Sequence, residues 1–197
     1  AYAYGSAKGG TEGGEKLTQR TVEDFLGVNM DHYVVINIQA FQKIIDAIGG
    51  IDIEVEKRMY YEDPWDDDGG LIIDLKPGMQ HMDGKTAVTY VRYRDEEGDI
   101  GRIKRQQKFM KALAKQAFTV GNMVKLPVII GTASEYVKTD MTFIQLVKAA
   151  NCLRLFGEGG VKSASLKGDF GDIGGVSYWV TTPSKIAATP VSYTHLT

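Results

Sequence analysis

The sequence predicts an α/β fold, a mixed β-sheet between α-helices in three layers, and three observations carry that reading. Ile51-Asp-Ile-Glu-Val55 alternates apolar and acidic residues, the period of a strand with one buried face. The stretch before it, from Ala40 to Ile48, sets Phe41, Ile44, Ile45 and Ile48 on one helical stripe. His32 to Ile38, earlier still, is β-branched and aromatic and reads as a buried strand. Strand, helix and strand joined by short loops make a right-handed crossover if the two strands run parallel. A long helix from about Arg102 to Phe118 supplies a further layer.

The remaining elements follow in chain order. Ala1 to Gly14 is glycine-rich and reads as a loop. It lacks P-loop spacing and follows no visible strand, so direct phosphate contact there has little support. Glu15 to Leu26 reads as a helix with Gly27 as its stop. Lys57 to Gly70 breaks the regular pattern. Its Tyr60, Tyr61 and Trp65 either line a groove or cap the core, and its Asp66-Asp-Asp-Gly run reads as a solvated turn without EF-hand spacing. Leu71 to Leu75 is a strand, and Lys76-Pro-Gly78 has the residue order of a type II turn. Lys85 to Tyr90 forms a short helix.

Beyond the long helix, Asn122 to Tyr136 reads as helical with a break near Pro127. Thr142-x-x-Gln145 resembles a capping box opening a helix that ends near Phe156. Val161 to Lys167 and Val176 to Thr181 read as strands. No repeat or linker is visible, so residues 1–187 read as one domain, or a large piece of one. Residues 188–197 read as a non-native or disordered tail, since Pro190 to Thr197 resembles translated adapter read-through.

Composition narrows the function classes. The chain has 197 residues, 43% hydrophobic and 24% charged, with a formal net charge of −2, which disfavours a general nucleic-acid binder. Cys152 is the single cysteine and excludes an internal disulfide; it reads as a buried, inert thiol. His32, His81 and His195 show no metal-ligand spacing. No apolar run approaches the roughly 18 residues that span a bilayer.

The chemistry concentrates in Arg92-Tyr-Arg-Asp-Glu-Glu-Gly-Asp-Ile-Gly-Arg-Ile-Lys-Arg-Gln-Gln107. Four arginines fall on either side of a turn-rich loop. Guanidinium groups present forked donors that fit phosphate oxygens, so arginines gathered by a loop can clamp phosphate. The alternative is neutralisation by Asp95, Glu96, Glu97 and Asp99 as surface ion pairs. On a helical wheel from Arg102, the residues Ile103, Met110, Leu113, Ala114 and Ala117 form the apolar stripe. Gln106 lies within it and Arg102 at its edge. Arg102 and Gln106 are therefore expected to face a polar pocket, and Arg105 and Lys108 to be solvated.

Leu75-Lys-Pro-Gly-Met-Gln-His-Met-Asp-Gly-Lys-Thr-Ala-Val-Thr-Tyr-Val-Arg-Tyr-Arg-Asp95, followed by Gly98-Asp-Ile-Gly-Arg-Ile-Lys-Arg-Gln-Gln107, resembles the signature of the LytR–CpsA–Psr family. The opening Ala-Tyr-Ala-Tyr-Gly and the stretches His32-Tyr-Val-Val-Ile-Asn and Gly49-Gly-Ile-Asp-Ile-Glu-Val55 also resemble it. The resemblance is close over residues 1 to about 120 and looser beyond. It implies a membrane-anchored, extracytoplasmic phosphotransferase. Such an enzyme moves a glycopolymer, of teichoic acid or capsular polysaccharide type, from a polyprenyl-pyrophosphate carrier to peptidoglycan as a phosphodiester, assisted by Mg²⁺. Carried over by motif, Arg92, Arg94, Arg102 and Gln106 match pyrophosphate-contacting positions, and Asp99 matches an acidic position of the site.

The resemblance also implies that the membrane helix, the first strands of the sheet and the Mg²⁺-binding aspartates lie upstream of Ala1. The chain as given is therefore expected to be weakly active or inactive alone. The competing readings are a non-catalytic binder of lipid-linked anionic glycopolymer and a pyrophosphatase-type hydrolase. A transcription regulator finds no support, since no helix-turn-helix with a basic recognition helix is evident.

Overall fold

The computed structural model describes residues 1–66, 70–117, 119, 122, 127–129, 131, 136–149 and 165–189. The mixed α/β class holds. The described residues of 1–33 and 162–197 form one compact unit and those of 34–161 another.

The larger unit opens with β1 (Val34–Ile36), shorter than expected and exposed along its length, where a buried strand was expected. Helix α2 (Ile38–Ala47) follows, and the Asn37 side chain caps it by accepting from the Ala40 N–H at 2.7 Å. Gly49 and Gly50, at φ 86° and 85°, turn the chain out of it. Strand β2 (Ile51–Val55) buries each apolar residue and exposes each acid. β1 and β2 are not a parallel pair. β1 pairs antiparallel with β6 (Val137–Thr139), and β2 pairs antiparallel with β5 (Gly78–Met82). The crossover expected around α2 is therefore absent among the described residues.

The stretch expected to be irregular contains β3 (Met59–Asp63), which pairs antiparallel with β4 (Leu71–Leu75). β5 was not expected as a strand either, because Gly78-Met-Gln-His-Met82 holds no β-branched residue; β2 supplies its ladder. Helix α3 (Gly84–Arg92) is capped by Asp83, whose carboxylate accepts from the Thr86 N–H at 2.8 Å. Helix α4 spans Gly98–Ala117. Ile45, Ile51, Met59, Ile73, Met82, Tyr90 and Phe109 are fully buried at the centre of this unit. Phe109 stacks at 5.3 Å on Phe41 and at 6.3 Å on Tyr90.

Residues 143–149 are helical and begin with the expected capping box. Thr142 Oγ1 accepts from the Gln145 N–H at 3.3 Å, and Gln145 Oε1 accepts from the Thr142 N–H at 2.8 Å. Of the broken helix expected from Asn122 to Tyr136, residues 122, 127–129 and 131 are described and helical and Tyr136 is in a turn, and the others fall outside the described residues. Cys152, the end of the helix near Phe156, residues 161–164 and the tail 190–197 fall outside them entirely.

In the smaller unit the glycine-rich opening is helical, contrary to the loop expected. Helix α1 (Tyr2–Leu26) is kinked at Gly9 and Gly10, the latter at φ 66°. Its two arms approach so closely that a Cβ on Gly5 would strike the backbone of Gly13. Gly27 ends it in the left-handed conformation, donating to the Glu23 carbonyl at 2.8 Å. Strands β7 (Asp169–Ile173) and β8 (Val176–Val180) form an antiparallel hairpin. Residues 165–168 are not the strand expected there. Side chains hold them instead: Trp179 Nε1 donates to the Leu166 carbonyl at 3.1 Å, and the Thr181 hydroxyl to that of Lys167 at 2.7 Å. Helix α5 (Pro183–Ala187) closes the described chain.

Candidate functional site

The arginine stretch bends back on itself. Helix α3 ends at Arg92, residues 93–97 form a loop, and Gly98, at φ 59°, starts α4. The end of one helix and the first turns of the next therefore lie side by side. Arg92, Arg94, Arg102 and Gln106 line one cleft of about 540 Å³, joined by Val91, Tyr61, Asp63 and Leu71. The last three come from the β3–β4 hairpin.

Each cleft arginine has a carboxylate partner. Arg92 holds Asp66 in a fork, Nη1 to Oδ2 at 3.0 Å and Nη2 to Oδ1 at 2.8 Å. Asp99 Oδ1 is shared, lying 3.3 Å from Arg94 Nε and 3.2 Å from Arg102 Nη2. Arg94 and Asp99 are well exposed, whereas the Arg102 side chain is 27% exposed. Arg102 Nε is buried and has no hydrogen-bond partner, a donor that is costly to leave unmatched. Gln106 donates to the Val91 carbonyl at 3.3 Å.

The expected face of α4 needs correction. Gly101, Arg105 and Phe109 are its buried residues, while Ile103 and Met110 are exposed. Arg105 is not solvated: its side chain is 4% exposed. It donates to Asp95 Oδ2 at 3.0 Å and to the Tyr93 carbonyl at 2.9 Å, and its guanidinium lies 5.1 Å from the Tyr93 ring centre. The wheel treated charge as a mark of solvent, but a guanidinium with a buried carboxylate, a carbonyl and a ring face can enter the interior. Lys108 is half-buried, paired with Glu56 Oε2 at 3.1 Å. Gln106 is exposed on the cleft side rather than buried in an apolar stripe.

Asp95 is the anchor of this turn. Lys57 Nζ lies 2.8 Å from its Oδ2, and its Oδ1 accepts from the Glu97 N–H at 3.0 Å. The Lys57 hydrogen bond, with Arg105 adding to it against the opposing effect of burial, holds the Asp95 carboxyl down to about 2. Gly101 is required beside it, because a Cβ there would lie 2.7 Å from Asp95 Oδ1.

Asp63 and Leu71 had not been assigned to the site, and Tyr61 only as an aromatic that lines a groove or caps the core. The signal for Tyr61 and Asp63 was the alternation Met59-x-Tyr61-x-Asp63, which puts them on the strand face of Met59, and Leu71 faces Asp63 from β4. Among the described residues no cluster of three or more His, Cys, Asp or Glu is placed to hold a metal. Asp66 and Asp99 are committed to arginines, which leaves Asp63 as a lone carboxylate in the cleft lining, and one carboxylate does not make a Mg²⁺ site.

A model of the LytR_cpsA_psr family matches residues 1–191. Regulatory protein MsrR of Staphylococcus aureus is 33% identical over 166 residues, covering 82% of this chain and 48% of its own. Polyisoprenyl-teichoic acid–peptidoglycan teichoic acid transferase TagV of Bacillus subtilis is 35% identical over 133 residues, covering 66% of this chain and 34% of its own. The crystal structure of TagV matches with a TM-score of 0.73 at 26% identity, over 93% of this chain and 68% of that one. The chain thus spans about half the length of MsrR and about a third of TagV.

Proposed function

Because the chain belongs to the LytR_cpsA_psr family, we propose that its arginine cleft holds the pyrophosphate of a polyprenyl-linked glycopolymer. The protein would pass that polymer, of the teichoic acid or capsular polysaccharide type, to peptidoglycan. The observation that carries this reading is the convergence of Arg92, Arg94, Arg102 and Gln106 on one cleft, with Arg102 keeping a buried, unmatched Nε. Similarity to a named teichoic acid transferase supports the same chemistry.

In this reading an acceptor hydroxyl oxygen bonds to the sugar-side phosphorus. The bond from that phosphorus to the bridging oxygen breaks, polyprenyl phosphate departs and the hydroxyl proton goes to solvent. Arginines fixed before the reaction neutralise charge on the non-bridging oxygens, and the Gln106 amide adds a neutral donor. Mg²⁺ assistance, with ligands supplied from outside this cleft, and anchoring at the outer face of the membrane belong to the same proposal. No step assigned to these residues runs through a metal. No helix among the described residues is long and apolar enough to cross a bilayer.

The test is calorimetric titration with farnesyl pyrophosphate, alongside transfer from a lipid-linked glycopolymer to peptidoglycan. Arg102→Ala should weaken binding by roughly tenfold, as expected for a lost charged hydrogen bond. Where transfer is measurable, its rate should fall on the order of 10²-fold or more. Wild-type affinity and turnover in the variant would overturn the assignment. Polymer release without ligation would identify a hydrolase instead.

A further inference from the structure

Three carboxylates stand at the arginine cleft, and one differs from the others. Asp66 is gripped by Arg92, and Asp99 is shared by Arg94 and Arg102. Asp63 lines the cleft, yet among the described residues it has no cationic partner. A carboxylate in that condition repels a phosphate, so its presence calls for a different ligand group.

The register of the hairpin shows how Asp63 is presented. Met59 faces Leu75, Tyr61 faces Ile73 and Asp63 faces Leu71. Met59 and Ile73 are fully buried and anchor the near end of this face. Tyr61, Asp63 and Leu71 continue the same face out along the cleft wall. The Tyr61 hydroxyl donates to Asp63 Oδ2 at 3.4 Å, and Asp63 Oδ1 accepts from the Trp65 N–H at 3.0 Å. Each carboxylate oxygen has room for a second donor. The Tyr61 side is 44% exposed and offers an aromatic surface beside those acceptors.

An acceptor-only group next to an aromatic ring suits a neutral, hydroxyl-rich ring with one apolar face. Three arginines across the cleft suit phosphate. We propose that Tyr61 and Asp63 form the sugar-recognising wall of the cleft. They take the pyranose ring attached to the phosphate that Arg92, Arg94 and Arg102 hold. Asp63 accepts hydrogen bonds from ring hydroxyls, and Tyr61 both orients Asp63 and packs on the ring. The sugar wall rests on the phosphate reading above and adds to it which residues read the sugar.

NMR-monitored titration of the whole chain with methyl phosphate and with α-D-glucose 1-phosphate separates the two. These ligands carry the same anion, and only one carries the ring. Glucose 1-phosphate should bind about tenfold more tightly, the scale of one added charge-assisted hydrogen bond plus ring contact. Tyr61→Ala and Asp63→Asn should each bring that ratio close to one, and Tyr61→Phe should keep most of it. Because the readout is a ratio, a general loss of folded protein cancels. Equal binding of the two ligands by the wild type, or an unchanged ratio in both variants, would overturn the sugar wall and leave the phosphate reading standing. Binding of neither ligand would overturn the phosphate reading, and the sugar wall with it.

Discussion

Arg105 and Asp95 meet at 3.0 Å with only 4% and 6% of their side chains exposed. This pair, with the Tyr93 carbonyl, ties the first turns of α4 to the loop that follows α3. Arg94 sits on that loop, and Asp99 and Arg102 sit on those turns. The residue that faces away from the cleft therefore sets the spacing of those that line it.

Removing one member of the pair should be severe. Arg105→Met leaves Asp95 buried with Lys57 alone, and losing one partner of a buried pair costs about 3–5 kcal/mol. Urea denaturation measures it. The double variant Arg105→Met with Asp95→Leu should recover more than half of the loss, because no buried charge is then stranded.

The same carboxylate gives a pH signature. Its folded value of about 2 lies below its ordinary value of 3.8, so the folded state favours the ionised form. The stabilisation is complete above 3.8 and is lost as pH falls through about 2. The gap in denaturation midpoint between wild type and Asp95→Asn should hold from neutrality to about pH 4 and then close toward pH 2. A gap independent of pH would contradict the ion-pair account.

Gly101→Ala sets two effects against each other. Replacing glycine in a helix gains about 1 kcal/mol. The new Cβ would lie 2.7 Å from Asp95 Oδ1 and 3.0 Å from Glu97 Cβ. Asp95 cannot swing away without breaking its bonds to Lys57 and Arg105, and overpacking of this kind costs about 1–3 kcal/mol. The variant should be destabilised on balance, read as a lower thermal midpoint.

Asp99→Asn removes the charge that Arg94 and Arg102 share. Affinity for inorganic pyrophosphate should rise about threefold or more, since two guanidinium groups lose a competing anion. Unchanged affinity in a calorimetric titration would show that this carboxylate does not compete with the ligand.

Local signals carried the parts of the fold that depend on a few neighbouring residues. The alternation of Ile51 to Val55, the Thr142–Gln145 box and the Gly27 stop all act within one turn or one strand, and each formed as read. β5 was illegible because its own residues do not favour a strand and the ladder comes from β2. The helical state of Tyr2 to Gly14 was illegible because glycine disfavours helix, and the contact between Gly5 and Gly13 explains the choice, whereas Glu15 to Leu26 formed the helix that its sequence predicts. At the site, the arginine-rich stretch stood out by composition. The burial of Arg105 did not, because its partners Asp95 and Tyr93 are ten and twelve residues away and look like surface polars. Asp63 was hidden for a related reason: alternation puts it on the face of Met59 and Tyr61, but the register with β4 is what shows which end of that face leaves the core.

On the phosphate reading, the sharing of one Asp99 oxygen by two arginines would make ligand entry an exchange reaction. A phosphate oxygen arriving between Arg94 and Arg102 replaces an anion that is covalently part of the protein, not a mobile counter-ion. Asp66 stands in the same relation to Arg92. Added salt screens the departing carboxylate and the incoming phosphate alike. Affinity in this cleft should accordingly fall less steeply with ionic strength than three bare arginines would dictate. The protein carries its own competitor, and selectivity goes to ligands that outmatch a carboxylate in geometry as well as in charge.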